Sequence, residues 1–111
     1  MDKRLYNNET KFGGWSNRAT QRLVLWIDND YDSYHDVTDI CKNGVRNGYT
    51  YTDVSEHIED WLYHKLGDDD KKMYGYFRSV ISNHFQDVNF VEIAHVKMGD
   101  VIDDVAKGVS L

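Results

Sequence analysis

Apolar side chains recur along this chain at the three- and four-residue spacing of amphipathic helices. The first set comprises Ala19, Leu23, Trp26 and Ile27, with Val24 and Leu25 widening its face. We expect a helix over about residues 17–28, in which the hydroxyl of Ser16 caps the start by accepting a hydrogen bond from an early N–H. The width of this apolar face predicts that the helix is the most buried in the chain.

A second helix is predicted over about residues 33–42, with either Asp30 or Asp32 as its N-cap. Its inner side would carry Tyr34, Val37, Ile40 and Cys41. The pair Asn43-Gly44 should end it, because both residues tolerate the left-handed conformation found at helix ends. Residues 45–51 allow a small hairpin turning at Asn47-Gly48 or a loop packed by tyrosines, and we favour the loop.

The clearest amphipathic pattern follows, with Val54, Ile58, Trp61, Leu62 and Leu66 on one face. Thr52 marks its start, with Ser55 and Glu56 nearby, and Gly67 marks its end. A further helix opens at Asp68-Asp69-Asp70, since negative charges suit the positive end of the helix dipole. Its core face would comprise Met73, Phe77, Val80, Ile81, His84 and Phe85.

The last helical segment begins at Asn89, three residues before Glu92, as in a capping box. Phe90, Ile93, Ala94 and, at the margin, Lys97 follow on one side. Two arrangements are open at Gly99. Either the helix ends there and Val101, Ile102 and Val105 belong to one more short helix, or the same helix continues through Gly99. The fold class is therefore all-α, a compact single-domain bundle of five or six short helices over residues 15–111. Short connections favour antiparallel neighbours, and a flexible polar arm over residues 1–14 precedes the domain.

Composition agrees with an ordered helical domain. Aromatic residues make up 14% of the 111 residues, too many for a disordered tail, and the chain has no proline. Its single cysteine, Cys41, excludes an intramolecular disulfide. No leader opens the chain, and the longest apolar run, residues 23–27, is far too short to span a membrane. We therefore expect a cytosolic protein, in a cell or an infected cell.

Two short blocks carry a family resemblance. They are Gly14-Trp15-Ser16-Asn17-Arg18-Ala19-Thr20, continuing at Leu25-Trp26-Ile27-Asp28-Asn29-Asp30, and Asp87-Val88-Asn89-Phe90-Val91-Glu92-Ile93-Ala94. They resemble a family of small uncharacterised proteins from bacteriophages and other mobile elements, whose members open with Gly-Trp-x-Asn-x-x-Thr. The chain departs from that pattern at Gln21, where the family has Trp. The resemblance implies a phage or plasmid origin and carries no activity.

The first block also has a physical interpretation as a helix start. Trp15 would pack as a hydrophobic staple before the cap at Ser16. The side chains of Asn17 and Thr20 would make local hydrogen bonds to the backbone.

Acidic residues are concentrated in the middle of the chain. Residues 26–70 carry twelve Asp or Glu and three Lys or Arg, a net charge of −9, whereas the whole chain carries −6. Such a segment repels phosphates and attracts basic surfaces. If its helices pack side by side, they form one acidic partner-binding face built from Asp28, Asp30, Asp32, Asp36, Asp39, Glu56, Glu59, Asp60, Asp68, Asp69 and Asp70. The plainer alternative is an acidic surface that serves only solubility.

The sequence gives weaker support for metal binding and for catalysis. The five aspartates between residues 28 and 39 match EF-hand positions 1, 3, 5, 9 and 12, but Ser33 replaces the required Gly and Asp39 the closing Glu. Asp60 and His64 could pair in a weak zinc site, although no cysteine joins them. Cys41 lies on a predicted core face, and neither a nucleophile motif nor a phosphate-binding glycine loop is present. We predict no catalytic residue, no cofactor and no metal, and expect that the chain is not an enzyme.

These observations together predict a phage-encoded binding protein that inhibits a host nucleic-acid-handling defence complex, such as a CRISPR or restriction effector. The acidic face would block a basic groove that normally holds phosphates. One alternative is a regulatory or assembly domain that binds a protein through an aromatic patch of Tyr49, Tyr51, Tyr74 and Tyr76. Another is a helical module stabilised by calcium. Direct nucleic-acid binding is disfavoured, because its only candidate surface is a sparse set of Lys3, Arg4, Lys11, Arg18 and Arg22. The sequence leaves the partner's identity and the oligomeric state undetermined.

Overall fold

The computed structural model describes residues 12–68 and 85–108. Within these ranges the chain forms four α-helices, α1 (Arg18–Asn29), α2 (Tyr31–Asn47), α3 (Tyr51–Asp68) and α4 (Phe90–Ala106), and a 3-10 helix at Phe85–Asp87. The described residues contain no strand, which confirms the all-α prediction. They hold fewer α-helices than the five or six expected, and the helix predicted to open at Asp68 lies almost entirely outside them.

The first helix starts from a different cap than the one predicted. The side chain of Asn17, not that of Ser16, accepts a hydrogen bond from the backbone N–H of Thr20 at 2.8 Å. Asn caps a helix as well as Ser does, and the hydroxyl of Ser16 instead donates to Glu92 at 2.8 Å. Trp15 packs against the core just before this cap, as expected of a staple.

Asp30 joins α1 to α2 without an intervening loop. Its backbone N–H closes α1 by donating to the carbonyl of Trp26 at 3.0 Å. Its carboxylate caps α2 by accepting from the backbone N–H of Ser33 at 3.0 Å and from the Ser33 hydroxyl at 2.6 Å. This decides between the two predicted caps in favour of Asp30.

The predicted end of α2 at Asn43-Gly44 is wrong. The helix continues to Asn47, and Gly48 supplies the left-handed residue, with φ +70° and ψ 29°. The N–H of Gly48 donates to the carbonyl of Val45, and the N–H of Tyr49 donates to that of Gly44. These two bonds make the Schellman motif that commonly closes a helix.

Gly44 has a packing role inside α2 instead. A methyl group on its Cα would overlap Cγ2 of Val54 in α3, so only glycine allows this close approach. Asp36, which precedes Gly44 in α2, is hydrogen-bonded to Trp61, which follows Val54 in α3. The two helices are therefore antiparallel, as predicted.

Residues 48–50 alone separate α2 from α3, so the stretch 45–51 forms neither a hairpin nor the longer loop that we favoured. Thr50 and Asp53 make a reciprocal capping box. The Thr50 hydroxyl accepts from the Asp53 N–H at 3.0 Å, and the Asp53 carboxylate accepts from the Thr50 N–H at 3.1 Å. α3 therefore begins at Tyr51, with Thr50 rather than Thr52 as its cap.

The core lies between the four helices, and α4 contacts each of the other three. Its fully buried members include Leu23, Ile27, Val37, Cys41, Val54, Ile58, Leu62 and Ile93, all on predicted inner faces. Tyr34, predicted on the inner side of α2, is instead exposed over 46% of its surface. Leu25 of α1 is a second exception, with 54% of its surface exposed. It lies one turn from the polar residues Gln21 and Asn29, on the side of α1 that faces away from the core.

The fourth helix runs unbroken through Gly99. Its N-cap is Asn89, whose side chain accepts from the backbone N–H of Glu92 at 3.0 Å, as predicted. One glycine costs a helix only about 1 kcal/mol relative to alanine, too little to end a helix that is packed on both sides of it. None of the helices that the structure describes is long and apolar enough to cross a membrane.

Candidate partner-binding surfaces

Two residues of the predicted acidic face, Asp28 and Asp30, bond within the fold near the end of α1, and a third, Asp36, bonds to Trp61. Asp28 forms an ion pair with Lys97 of α4. Asp30 caps α2 through Ser33. The carboxylate of Asp28 therefore joins α1 to α4 and that of Asp30 caps α2, and neither is fully available to a partner.

Three other acidic residues form an exposed row along α2. Asp32, Asp36 and Asp39 are spaced by four and three residues, which places them on one side of the helix, and all three are exposed. Lys42, half-buried and one turn after Asp39, and the exposed Arg46 one turn later limit the row at that end.

Asp36 joins this row to α3. The indole Nε1–H of Trp61 donates to Oδ2 of Asp36 at 3.0 Å. Asp60 is the residue before Trp61 and is exposed, and the helix turns it by about 100° from Trp61, so it lies at the margin of the junction. We call Asp32, Asp36, Asp39 and Asp60 the acidic edge.

An aromatic pair supports the acidic edge from the core side. The rings of Trp26 and Trp61 have centroids 6.2 Å apart and planes inclined by 31°. Lys65 extends over both, with its Nζ 6.0 Å and 5.9 Å from the two centroids. This packing holds Trp61, and through its indole N–H also Asp36, in a defined position.

The remaining acidic residues do not extend the edge. Successive residues of a helix are turned by about 100°, so Glu59, two positions before Trp61, faces away from α2. Glu56 is exposed, but it is turned from Trp61 by about 140° by the same geometry. The side chain of Asp68 and the whole of Asp69 and Asp70 lie outside the described part of the chain.

The EF-hand-like spacing does not form a calcium loop. Residues 31–47 are helical, so Asp32, Asp36 and Asp39 are strung along α2 rather than gathered around a point. Among the residues that the structure describes, no three His, Cys, Asp or Glu side chains are grouped so that they could hold a metal ion.

Histidines in the described ranges contact aromatic rings or the backbone. His57 lies edge-on to Tyr49 at 5.6 Å, and His95 lies against Tyr51 at 4.3 Å between centroids. Nδ1 of His64 is 2.8 Å from the backbone oxygen of Asp60, and the two residues belong to no group of three metal-ligating side chains within the described ranges. His84, predicted in the core, lies outside the described residues.

Cys41 is fully buried, as predicted. Burial raises the pKa of its thiol to about 12. The sulfur therefore stays protonated at neutral pH and acts as a small hydrophobic side chain rather than as a nucleophile.

An apolar groove lies where the corner between α2 and α3 meets the C-terminal half of α4. It encloses about 410 Å³, and its walls include Val45, Tyr49, Tyr51, Met98 and Ile102. The two tyrosines are the described members of the predicted aromatic patch, since Tyr74 and Tyr76 lie outside the described ranges. On the other wall, Ile102 had been predicted only as a helix residue, and no sequence pattern had singled out Met98.

The predicted basic surface is only partly described. Arg18 is exposed and Arg22 is half-buried, and both lie on α1 one turn apart. Lys3, Arg4 and Lys11 lie outside the described residues.

The two blocks of the family resemblance contact each other in the fold. Nδ2 of Asn17 donates to the carbonyl of Asp87 at 2.7 Å. The hydroxyl of Thr20 accepts from the backbone N–H of Asn89 at 2.8 Å, so this bond joins distant segments rather than being local as predicted. These contacts give the side chains of Asn17 and Thr20 in the first block a structural role. Comparisons of the chain with protein-family models, with curated proteins and with solved structures found no match.

Proposed function

We propose that this chain is a binding protein of phage or plasmid origin that inhibits a host nucleic-acid-handling defence complex, such as a CRISPR or restriction effector. It acts in the host cytoplasm and without catalysis, by placing the acidic edge in a groove that normally holds phosphates. The observation that carries the proposal is the exposed row of Asp32, Asp36 and Asp39, joined to α3 at Trp61.

The length of the row suits a small number of strong contacts. Seven residues separate Asp32 from Asp39, which corresponds to about 10 Å along the helix axis. A row of this length can engage two or three Arg or Lys side chains through charge-assisted hydrogen bonds. Such contacts raise the association rate and select for a basic partner.

The acidic edge is also preorganised. It is built on two antiparallel helices, and Asp36 is held by Trp61, which packs against Trp26. A surface that is already ordered loses little conformational entropy on binding, so more of the contact energy appears as affinity.

An inhibition assay with matched charge variants tests this function. The pair Asp32→Asn and Asp39→Asn removes two charges from the acidic edge, whereas Asp103→Asn with Asp104→Asn removes two from equally exposed positions on α4. Cleavage of target DNA by an effector is measured against increasing protein concentration. We expect the first pair to weaken inhibition about tenfold or more and the control pair to leave it unchanged. Absence of inhibition at micromolar protein, or equal loss in both pairs, would refute the proposal.

A second candidate function is that of a regulatory or assembly domain which binds a protein through the groove beside Tyr49 and Tyr51. The observation that favours it is the apolar groove itself, in which both tyrosines are more than one-third exposed. Salt distinguishes the two functions, because binding by the acidic edge weakens steeply at high ionic strength and apolar binding does not.

A further inference from the structure

An exposed aromatic pair lies at the start of α2, beside the acidic edge. Tyr31 is 76% exposed, more than any other large hydrophobic side chain of the described residues. Its ring lies edge-to-face with that of His35 one turn later, with centroids 4.4 Å apart and planes inclined by 63°. His35 is exposed as well. The two rings therefore form an aromatic surface that stays open to solvent.

The helix places this ring pair next to two carboxylates of the acidic edge. Asp32 comes three residues before His35 and Asp39 four residues after it, and residues at these spacings are neighbours on a helix surface. His35 is turned from Asp32 by about 60° and from Asp39 by about 40°, and Tyr31 lies about 40° farther around on the other side of His35. Rings and carboxylates therefore share one outer side of α2.

A guanidinium group fits this combination better than an ammonium group does. It is planar, so it can stack on an aromatic ring while its edge bonds to a carboxylate through two N–H groups. An ammonium group is a compact, strongly hydrated point charge and gains less from the ring. Tyr and Arg are also among the side chains that most often dominate the energy of a protein interface.

The bases of a single-stranded nucleic acid could also stack on exposed rings. Here, however, the exposed carboxylates of Asp32, Asp36 and Asp39 lie along the same helix and would repel the phosphates that accompany the bases. A basic protein surface is attracted by the same charges. The charge around the ring pair therefore favours a cationic side chain of a protein as its ligand.

We infer that the pair of Tyr31 and His35 gives the acidic edge a preference for arginine over lysine in its partner. An Arg side chain of the partner lies across the two rings, and its guanidinium group pairs with Asp32 or Asp39. This inference rests on the acidic-edge function proposed above and names the residue type that the edge recognises.

Two peptides test the preference on the full chain. Both are fluorescent and have equal length and equal charge, but one has Arg and the other has Lys at every basic position. Fluorescence anisotropy should show the Arg peptide binding about three- to fivefold more tightly than the Lys peptide. Equal binding of the two peptides, or binding of neither, would overturn the inference. A labelled single-stranded oligonucleotide should not bind, and binding that depends on Tyr31 would assign the rings to nucleic acid instead.

Variants of the protein locate the source of the preference. Tyr31→Ala should make the two peptides bind about equally, whereas Tyr31→Phe should keep the preference because the ring remains. Tyr63→Ala is the matched control, since Tyr63 is 57% exposed and the helix turns it by about 160° from Trp61, away from α2. Thermal melts followed by circular dichroism establish that all three variants fold. An unchanged preference in Tyr31→Ala, or an equal loss in Tyr63→Ala, would contradict the inference.

The outcome is separable from that of the proposed inhibitor function. Asp32→Asn with Asp39→Asn should weaken the binding of both peptides, whereas Tyr31→Ala should weaken only that of the Arg peptide. If Tyr31→Ala changes neither affinity while the two Asp→Asn changes still abolish inhibition of the effector, the arginine preference is wrong and the inhibitor function stands. If the preference depends on Tyr31 but the Asp→Asn changes leave inhibition intact, the inhibitor function through this edge is wrong and the arginine site stands.

Discussion

The hydroxyl oxygen of Thr20 in α1 accepts a hydrogen bond from the backbone N–H of Asn89, the N-cap of α4, at 2.8 Å. The two residues are 69 positions apart, and Thr20 is fully buried. Asn89 in turn caps α4 by accepting from the N–H of Glu92, whose carboxylate accepts from Ser16. The start of α1 and the start of α4 therefore stabilise each other, and the side chain of Thr20 supplies a buried part of that contact.

Replacing Thr20 by Val should destabilise the protein by about 1–3 kcal/mol, because the shape is kept while a hydrogen-bonded N–H loses its acceptor. The free energy of unfolding, measured by urea titration, checks this. Thr38→Val is the control, since Thr38 is also in a helix and half-buried. It should change stability by less than about 0.5 kcal/mol. A loss of the same size in both variants would mean that the bond to Asn89 contributes nothing specific.

Two glycines inside helices should respond in opposite directions to alanine. Gly44→Ala should destabilise the protein by about 1–3 kcal/mol, because the added methyl group meets Cγ2 of Val54 in a packed interface. Gly99 has no neighbouring atom within 4 Å of its would-be Cβ, so Gly99→Ala should stabilise α4 by about 0.5–1 kcal/mol. Denaturant titration of both variants measures whether each change lowers or raises the free energy of unfolding.

Shortening Val54 provides the internal check on Gly44. In the double variant Gly44→Ala, Val54→Ala, the clash is absent, so the two changes should cost less together than the sum of the single changes. Additive costs would show that Gly44 and Val54 are not coupled.

The thiol of Cys41 should be unreactive in the folded protein at pH 8 and react at once after denaturation, which a colorimetric thiol reagent measures. Burial holds the pKa of this thiol near 12 in the folded state, against an ordinary value of 9.0. The unfolded chain therefore loses the proton first, so the contribution to stability is intact below pH 9 and is lost as the pH rises toward 12. Cys41→Ser should reduce this loss of stability at alkaline pH. Rapid labelling of the native protein would contradict the buried placement.

Calcium should leave the melting temperature unchanged. The aspartates with EF-hand spacing are distributed along α2 or bonded within the fold, so the part of the chain that the structure describes offers no cluster that would gain stability from the ion. Thermal melts in millimolar calcium, in equal magnesium and in chelator measure this. A rise specific to calcium would restore the calcium-stabilised alternative.

Helical periodicity predicted the all-α class and most of the buried residues of the described helices, although Leu25 and Tyr34 are exposed. The two Asn-Gly pairs show what a local sequence pattern cannot predict. Asn43-Gly44 and Asn47-Gly48 carry the same local signal for a helix end. Only the second ends α2, because Gly44 is held inside the helix by its contact with Val54. That contact belongs to the packing of two helices, and no local pattern encodes it.

The candidate surfaces also combine features that a local pattern predicts with features that depend on contacts between helices. The spacing of Asp32, Asp36 and Asp39 is enough to place them on one side of a helix. Their junction with α3 depends on the bond between Asp36 and Trp61, which are 25 positions apart. The groove draws its walls from three separate elements. Ile102 could therefore be predicted only as a helix residue and not as part of a site, and no local pattern identified Met98.

The most direct measurement is a pull-down from a bacterial lysate with tagged protein, read by mass spectrometry at low and at high salt. Wild-type protein and the Asp103→Asn, Asp104→Asn control should retain the same nuclease or CRISPR subunit at low salt and release it at high salt. The Asp32→Asn, Asp39→Asn variant should not retain it at either. A partner that both variants retain equally, or one that stays bound at high salt, would contradict inhibition through the acidic edge.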